Sequence, residues 1–98
     1  MSAEIFEPLL RRPGLLIERI VSHGQTTPPD QPYVQAHDEW VTLISGNARL
    51  LLEGREECAL APGDHMLIPG GIRHWVTFTA PDEPTVWLAV HMGLPQEE

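Results

Sequence analysis

The stretch Gly63–His74, GDHMLIPGGIRH, decides the fold of this chain. Pro62-Gly63-Asp64 is a turn signal at the start of this stretch. The next residues, His65–Pro69, predict a short strand with an apolar centre. Pro69-Gly70-Gly71 ends that strand, because proline has no N–H for a sheet ladder and glycine accepts positive φ. His74 then begins the next run, HWVTFT. The sequence therefore predicts a histidine at a sharp corner between two strands, with its ring directed into a β-structure.

The rest of the chain repeats this spacing of short strands and turns. Period-2 alternation predicts strands over 15–22 and 39–44, and in the second strand Glu39, Val41 and Leu43 share one face. Further strands are predicted at 47–53, 56–60, 73–79 and 85–91. Residues 1–14 read as either an extended arm or an edge strand, 23–32 as a loop, and 92–98 as a tail. Strands at intervals of about 8 to 12 residues are typical of an all-β sandwich or barrel.

Composition excludes several classes of function. The chain has 98 residues, enough for one small domain, with 14 acidic and 6 basic residues and a net charge of -8. Because all the basic residues are scattered arginines, neither nucleic acid nor an anionic membrane surface is an expected partner. The single cysteine, Cys58, excludes an intrachain disulfide. The first ten residues lack a basic leader and no run approaches the roughly 20 apolar residues of a membrane span, so we expect a cytoplasmic protein.

One carboxylate lies on an otherwise apolar strand face. Glu39 shares its predicted face with Val41 and Leu43 and so points inward, where a charge is costly unless it is paired or bound to a metal. One interpretation is an ion pair with Arg49 or Arg73, which would neutralise the Glu39 charge and would imply no functional site. The other interpretation is a metal site, because imidazole and carboxylate together suit first-row metals. The chain has five histidines for that role: His23, His37, His65, His74 and His91.

The segment around the Pro-Gly-Gly corner resembles the second motif of the cupin superfamily. That motif reads glycine, five residues, proline, any residue, glycine, two residues and histidine. It is matched in order by Gly63, Pro69, Gly71 and His74. The family's asparagine, four residues after the histidine, is replaced by Phe78.

The first cupin motif is half present. Glu39 and Gly46 match its closing glutamate and glycine, whereas the histidine pair that should precede the glutamate is missing. With a three-residue gap that pair falls on Tyr33 and Gln35, and with a four-residue gap it falls on positions 32 and 34. His37 lies near these positions but out of register.

The resemblance implies a site for a divalent metal, either Zn, Fe, Mn or Ni. Glu39 and His74 are the ligands that carry over from the two motifs, His37 is the candidate substitute for the missing histidine pair, and His91 on the last strand is the fourth candidate. His91 is ambiguous, because an interpretation of Val86, Leu88 and Val90 as the core face would turn it outward. The implied substrate contacts are Tyr33, Gln35 and Phe78. Simpler interpretations remain open: His74 as a cap for its corner, and His37 as an ordinary loop histidine.

The fold that the resemblance implies is a single jelly-roll β-barrel over 15–91, with 1–14 as an N-terminal arm and 92–98 as a tail. Cupins are commonly homodimers, and they include enzymes, sugar-binding modules and storage proteins, so fold alone names no reaction. The first hypothesis is a metal-binding cupin that acts as a metalloenzyme on a small organic molecule. The alternative, favoured by the missing histidine pair, is a metal-free module that binds a sugar or other small molecule. A third is a domain that mainly serves to dimerise.

Overall fold

The computed structural model describes residues 3–95, which form eight β-strands and no helix. The strands are β1 (Ile5–Arg12), β2 (Leu15–Ser22), β3 (Asp38–Ser45), β4 (Ala48–Leu52), β5 (Cys58–Leu60), β6 (His65–Ile68), β7 (His74–Thr79) and β8 (Thr85–Met92). Residues 1–2 of the predicted arm and 96–98 of the predicted tail lie outside the described residues. The described range therefore contains no helix long and apolar enough to cross a bilayer. The all-β prediction is confirmed.

The strands form two sheets and not the closed barrel that the sequence predicts. The larger sheet has the order β1-β2-β8-β3-β6 and the smaller has β5-β4-β7, with antiparallel pairing throughout. Within residues 3–95 no ladder joins an edge of one sheet to an edge of the other. Corners such as Pro69-Gly70-Gly71 carry the chain from one sheet to the other, and proline there cannot donate to a ladder.

The first strand settles an alternative that the sequence leaves open. Ile5–Arg12 is an edge strand paired with β2, with a register shift between Pro8 and Leu10. An edge strand tolerates Pro8, since the N–H that proline lacks would only face solvent, and a bulge is common at such a position.

The hydrophobic core lies between the two sheets. Its buried side chains are Val41, Leu43, Ala48, Leu50, Leu52, Leu60, Ile68 and Trp87. The Trp87 indole N–H donates to Ser22 Oγ at 3.2 Å, so the polar group of the buried tryptophan has a hydrogen-bond partner. None of these core residues belongs to β1 or β2. From those two strands Ile20 packs against the core from outside the buried cluster, and Phe6, Glu18 and Ile20 line a cavity.

The structure resolves the face of β8, which the sequence leaves ambiguous. Burial alternates along the strand so that Thr85, Trp87, Ala89 and His91 point inward. Val86, Leu88 and Val90, interpreted as the core face, are only half-buried and lie on the outside of the sheet. Apolar residues occupy both faces of this central strand, so alternation alone could not distinguish them; its pairing with β3 does. His91 therefore points inward.

Candidate functional site

A cavity of about 210 Å³ lies against the inner face of the larger sheet. Its apolar lining includes Phe6, Ile20 and Trp87. Its polar lining consists of Glu4, Glu18, Tyr33, Gln35, Glu39, His74 and His91. A mostly apolar cavity with a few convergent polar groups is typical of a small-molecule site.

Three of the four predicted metal ligands line this cavity from two sheets. Glu39 on β3 and His91 on β8 are Cα partners in the larger sheet, and His74 lies at the start of β7 in the smaller sheet. All three are buried, with 9 % of Glu39, 9 % of His91 and 4 % of His74 exposed. A carboxylate and an imidazole thirty-five positions apart thus line one cavity, as their inward-facing strand positions predict.

His91 has hydrogen-bond partners on both ring nitrogens. Its Nε2 lies 2.9 Å from Glu18 Oε1, and its Nδ1 lies 2.9 Å from His37 Nε2. Because a carboxylate can only accept, the His91 Nε2–H donates to Glu18, and a neutral His91 then accepts at Nδ1 from the His37 N–H. Burial, followed by the nearby His91, lowers the pKa of His37, which favours its neutral form. Glu18 was not among the predicted site residues, although it shares a face with Leu16 and Ile20 just as Glu39 does with its apolar neighbours.

The two residues at the family's missing histidine positions contact the other site residues. The Gln35 side-chain amide donates to Glu39 Oε1 at 2.9 Å. The Tyr33 ring stacks on the His74 ring, with centroids 5.6 Å apart, and the two backbones exchange hydrogen bonds of 2.9 Å. Burial raises the pKa of the Tyr33 phenol, and the charges of Glu4 and Glu39 raise it further. His74 Nδ1 lies 3.3 Å from the Ile72 carbonyl, so its Nε2 is the nitrogen left for the cavity.

The Pro-Gly-Gly corner holds the loop that carries Tyr33 and Gln35, which we call the site loop. Gly71 N–H donates to the Gln35 carbonyl at 2.7 Å, and Gly70 N–H donates to Asp38 Oδ1 at 2.8 Å. A Cβ on Gly70 would lie 2.2 Å from the Ala36 carbonyl oxygen, so only glycine allows the two segments to approach this closely. The corner thus positions both His74 and the loop opposite it.

Two predicted site residues lie away from the cavity lining. His37 is not in the lining and contacts the lining residue His91, with their ring centroids 5.0 Å apart. Phe78 packs beneath the Arg49 guanidinium, whose Cζ lies 5.4 Å from the ring centroid. The register shift in the β4–β7 pairing leaves Thr77 without a partner and reverses the alternation, so Phe78 pairs with the exposed Arg49. Regular strand alternation from His74 would place Phe78 on the same face as His74, and the sequence pattern does not indicate the bulge that reverses it.

The side chains as arranged do not fit the divalent metal that the resemblance implies. Within residues 3–95 no three His, Cys, Asp or Glu side chains converge as ligands. Both nitrogens of His91 are already engaged, and one oxygen of Glu39 accepts from Gln35. The unengaged donors that line the cavity among the predicted ligands are Glu39 Oε2 and His74 Nε2, and two protein ligands are fewer than the three that catalytic metal sites usually provide. The four-ligand set remains a prediction.

Comparison with known proteins identifies the family. The model of the cupin domain family matches residues 19–91. A candidate mannose-6-phosphate isomerase from Ralstonia eutropha is 47% identical, over 96% of this chain and 88% of its own, with a TM-score of 0.92. The DMSP lyase DddQ from Ruegeria pomeroyi is 25% identical over 84% of this chain and 40% of its own, with a TM-score of 0.71.

An RmlC-like cupin with a double-stranded β-helix fold, from Methanocaldococcus jannaschii, has the same fold. It is 17% identical over 95% of this chain and 83% of its own, with a TM-score of 0.74. No curated protein matches the sequence. With a family model matching most of its length and the Ralstonia protein almost half identical, this chain belongs to the cupin family.

Proposed function

We propose that this cupin binds a small organic molecule in its cavity through its own polar side chains, without a resident metal. The observation that carries the proposal is a pair of largely buried side chains, each with a polar atom that no other described residue engages. Glu39 Oε2 and His74 Nε2 have no hydrogen-bond partner among residues 3–95, although both side chains are more than nine-tenths buried and line the cavity. Polar atoms that line a mostly apolar cavity and have no protein partner are available to form hydrogen bonds with a ligand, and they would fix its orientation.

The surrounding residues support a binding role. Gln35 and Tyr33 hold Glu39 and His74 from the loop side and are the expected ligand contacts, together with the apolar wall around Trp87. Phe78 is left out of this contact set because its ring packs under Arg49. A carboxylate facing an imidazole is also an arrangement suited to proton transfer, which an isomerase like the one named for the Ralstonia protein would use.

Binding can be tested by quenching of tryptophan fluorescence with a library of small metabolites of mixed charge. We expect hits whose Kd rises about tenfold or more in Glu39→Gln and in His74→Asn, because each variant removes one of the two polar groups available to a ligand. Glu56→Gln, an exposed site outside the cavity, is the matched control. If no compound of any charge binds, or if both cavity variants bind like the control, the proposal is wrong.

A metal-binding cupin is the second candidate function. Its support is that Glu39, His74 and His91 line one cavity and that Glu39 and His91 are direct strand partners. Together with His37 they would hold Zn, Fe, Mn or Ni if His91 released Glu18 or His37, and the metal would supply a Lewis acid. Metal analysis after incubation with each ion separates the two candidates. The first requires less than about 0.2 ion per chain and a melting temperature that chelator leaves unchanged. Near-stoichiometric metal that is lost in His74→Ala would establish the second.

The proposed functional unit is a homodimer. One row of Cα partners on the outer face of the larger sheet is apolar on all five strands, and we call it the outer row: Leu10, Ile17, Val90, Trp40 and Leu67. Isolated apolar residues are normal on the surface of a monomer, whereas a continuous apolar band across a whole sheet marks an interaction surface. This band fits contact with a second copy of the chain. A cytoplasmic location stays a prediction.

A further inference from the structure

We infer that the cavity selects small organic cations that carry an N–H donor, such as primary amines, and rejects phosphorylated and carboxylated compounds. This inference rests on the proposed function and adds the charge of the ligand to it. It follows from where the charged side chains of the chain lie.

Among the described residues that line the cavity there is no arginine, and the sequence has no lysine. All six arginines fall within residues 3–95: Arg11, Arg12, Arg19, Arg49, Arg55 and Arg73. Arg19 pairs with Glu7, Arg73 lies 3.9 Å from Glu53, and Arg49 covers Phe78, so half of them already have partners elsewhere. Phosphate sites in proteins are built from Arg, Lys or helix N-termini, and no helix occurs in the described part of the chain. A sugar phosphate therefore finds no cationic partner among the arginines.

Three carboxylates line the same cavity. Glu4 accepts from the Ser22 hydroxyl at 2.5 Å, Glu39 accepts from Gln35, and Glu18 accepts from His91. The first two donors are neutral groups, which satisfy lone pairs but leave the negative charge in place. In a partly enclosed, mostly apolar cavity such charges attract a cation more strongly than they would in water.

Buried Glu39 indicates where the ligand's cationic group would lie. Its Oε2 has no partner among residues 3–95, and a charged N–H donor placed there forms the strong, charge-assisted type of hydrogen bond. His74 Nε2 is the neighbouring unengaged group, and it can accept a second N–H when the ring is neutral. An ammonium group carries enough protons to serve both.

The aromatic lining agrees with this charge preference. Phe6, Tyr33 and Trp87 all line the cavity, and aromatic faces attract cations through the ring quadrupole. Tyr33 also reports the local field, since Glu4 and Glu39 both contribute to raising its pKa. The apolar body of an amine would pack on these rings while its ammonium group meets Glu39.

The test uses three ligands that share one skeleton and differ in charge: benzylammonium, benzyl alcohol and benzoate, with mannose 6-phosphate as a fourth probe. Their Kd values are measured on the full chain by ligand-observed NMR. We expect benzylammonium to bind at least about tenfold more tightly than benzoate, and mannose 6-phosphate to bind no better than benzoate. Glu39→Gln should reduce the ratio of the benzoate Kd to the benzylammonium Kd about threefold or more, while Glu56→Gln leaves this ratio unchanged.

Glu4→Gln provides a second variant, because Glu4 is less buried than Glu39 and its loss leaves the core intact. It should move the ratio in the same direction. Benzoate or mannose 6-phosphate binding as tightly as benzylammonium, no detectable binding of benzylammonium, or a ratio that neither variant changes would overturn the inference. Metabolite hits that are anionic would leave the binding function standing and remove only the cation preference, whereas the absence of any hit would remove both.

Discussion

At the scale of single residues, the site depends on a carboxylate that is absent from the predicted ligand set. Glu18 is the acceptor for the His91 Nε2–H, and both side chains are largely buried. Removing the carboxylate in Glu18→Ala leaves a buried N–H without a partner, which costs about 1–3 kcal/mol. Urea unfolding should show that loss in the free energy of unfolding. Glu56→Ala, on an exposed turn, should stay within about 0.5 kcal/mol of the original chain, and equal losses in both variants would contradict the role of Glu18.

The single tyrosine gives a direct measure of charge in the cavity. Burial and then Glu4 and Glu39 raise the pKa of Tyr33 above its ordinary value of 10.0. The folded phenol therefore keeps its proton at a pH where the unfolded one ionises, so its contribution to stability is complete below pH 10.0 and is lost as pH rises through the folded pKa. A spectrophotometric titration of phenolate absorbance should show this raised pKa. Glu39→Gln and Glu4→Gln should each lower it toward 10.0, and Glu56→Gln should not.

At the scale of elements, the close approach of the Pro-Gly-Gly corner to the site loop makes a sharp prediction. In Gly70→Ala the new Cβ would lie 2.2 Å from the backbone oxygen of Ala36, so one of the two segments must move. We expect a loss of about 3 kcal/mol or more in the free energy of unfolding. Gly54→Ala is the matched control, since Gly54 has a φ of 79° but open space around it, and should lose only about 1–2 kcal/mol from backbone strain.

Urea unfolding of both glycine variants decides the point. Equal losses would mean that the contact between the corner and the loop is not tight. A selective loss in Gly70→Ala, accompanied by a change in the Tyr33 titration, would show that the corner positions the site loop as well as stabilising the fold.

The strands themselves could be predicted from the sequence because their signals are local. Alternation and Gly, Pro, Asn and Asp turns located every strand from β2 to β8 within two residues at each end. The inward position of Glu39 was also predictable, because period-2 alternation places it on the same face as two apolar residues of its strand. Three features depend on long-range pairing and could not be read locally: the inner face of β8, the bulge at Thr77 that turns Phe78 away, and the separation into two sheets.

Glu18 is a site residue whose inward position the sequence pattern does indicate. Glu18 shares its strand face with Leu16 and Ile20, as Glu39 shares its face with apolar neighbours, and the same argument about buried charge applies to both. What the sequence could not supply is its partner, because His91 lies seventy-three positions away on a strand whose inner face the local pattern leaves ambiguous.

At the scale of the whole molecule, the outer row predicts self-association. Leu67 lies at the edge-strand end of this row, beside Trp40, and is 48% exposed in the single chain. Contact with a second copy would bury this band, and a stable dimer needs roughly 1,200–2,000 Å² of total buried surface. Sedimentation at micromolar concentration should therefore show a dimer. In Leu67→Arg a charge is placed in the apolar contact, so the dissociation constant should rise about tenfold or more.

The matched control for this variant is Val34→Arg, a 58% exposed position in the site loop and outside the larger sheet. It introduces the same charge on the same small domain, so any general effect of the arginine on solubility or shape appears in both variants. A dimer weakened by Leu67→Arg alone assigns the contact to the outer face and leaves the cavity, on the opposite face of the sheet, open to ligand. A monomer in the original chain, or equal weakening by both variants, would show that the outer row is not the contact between copies.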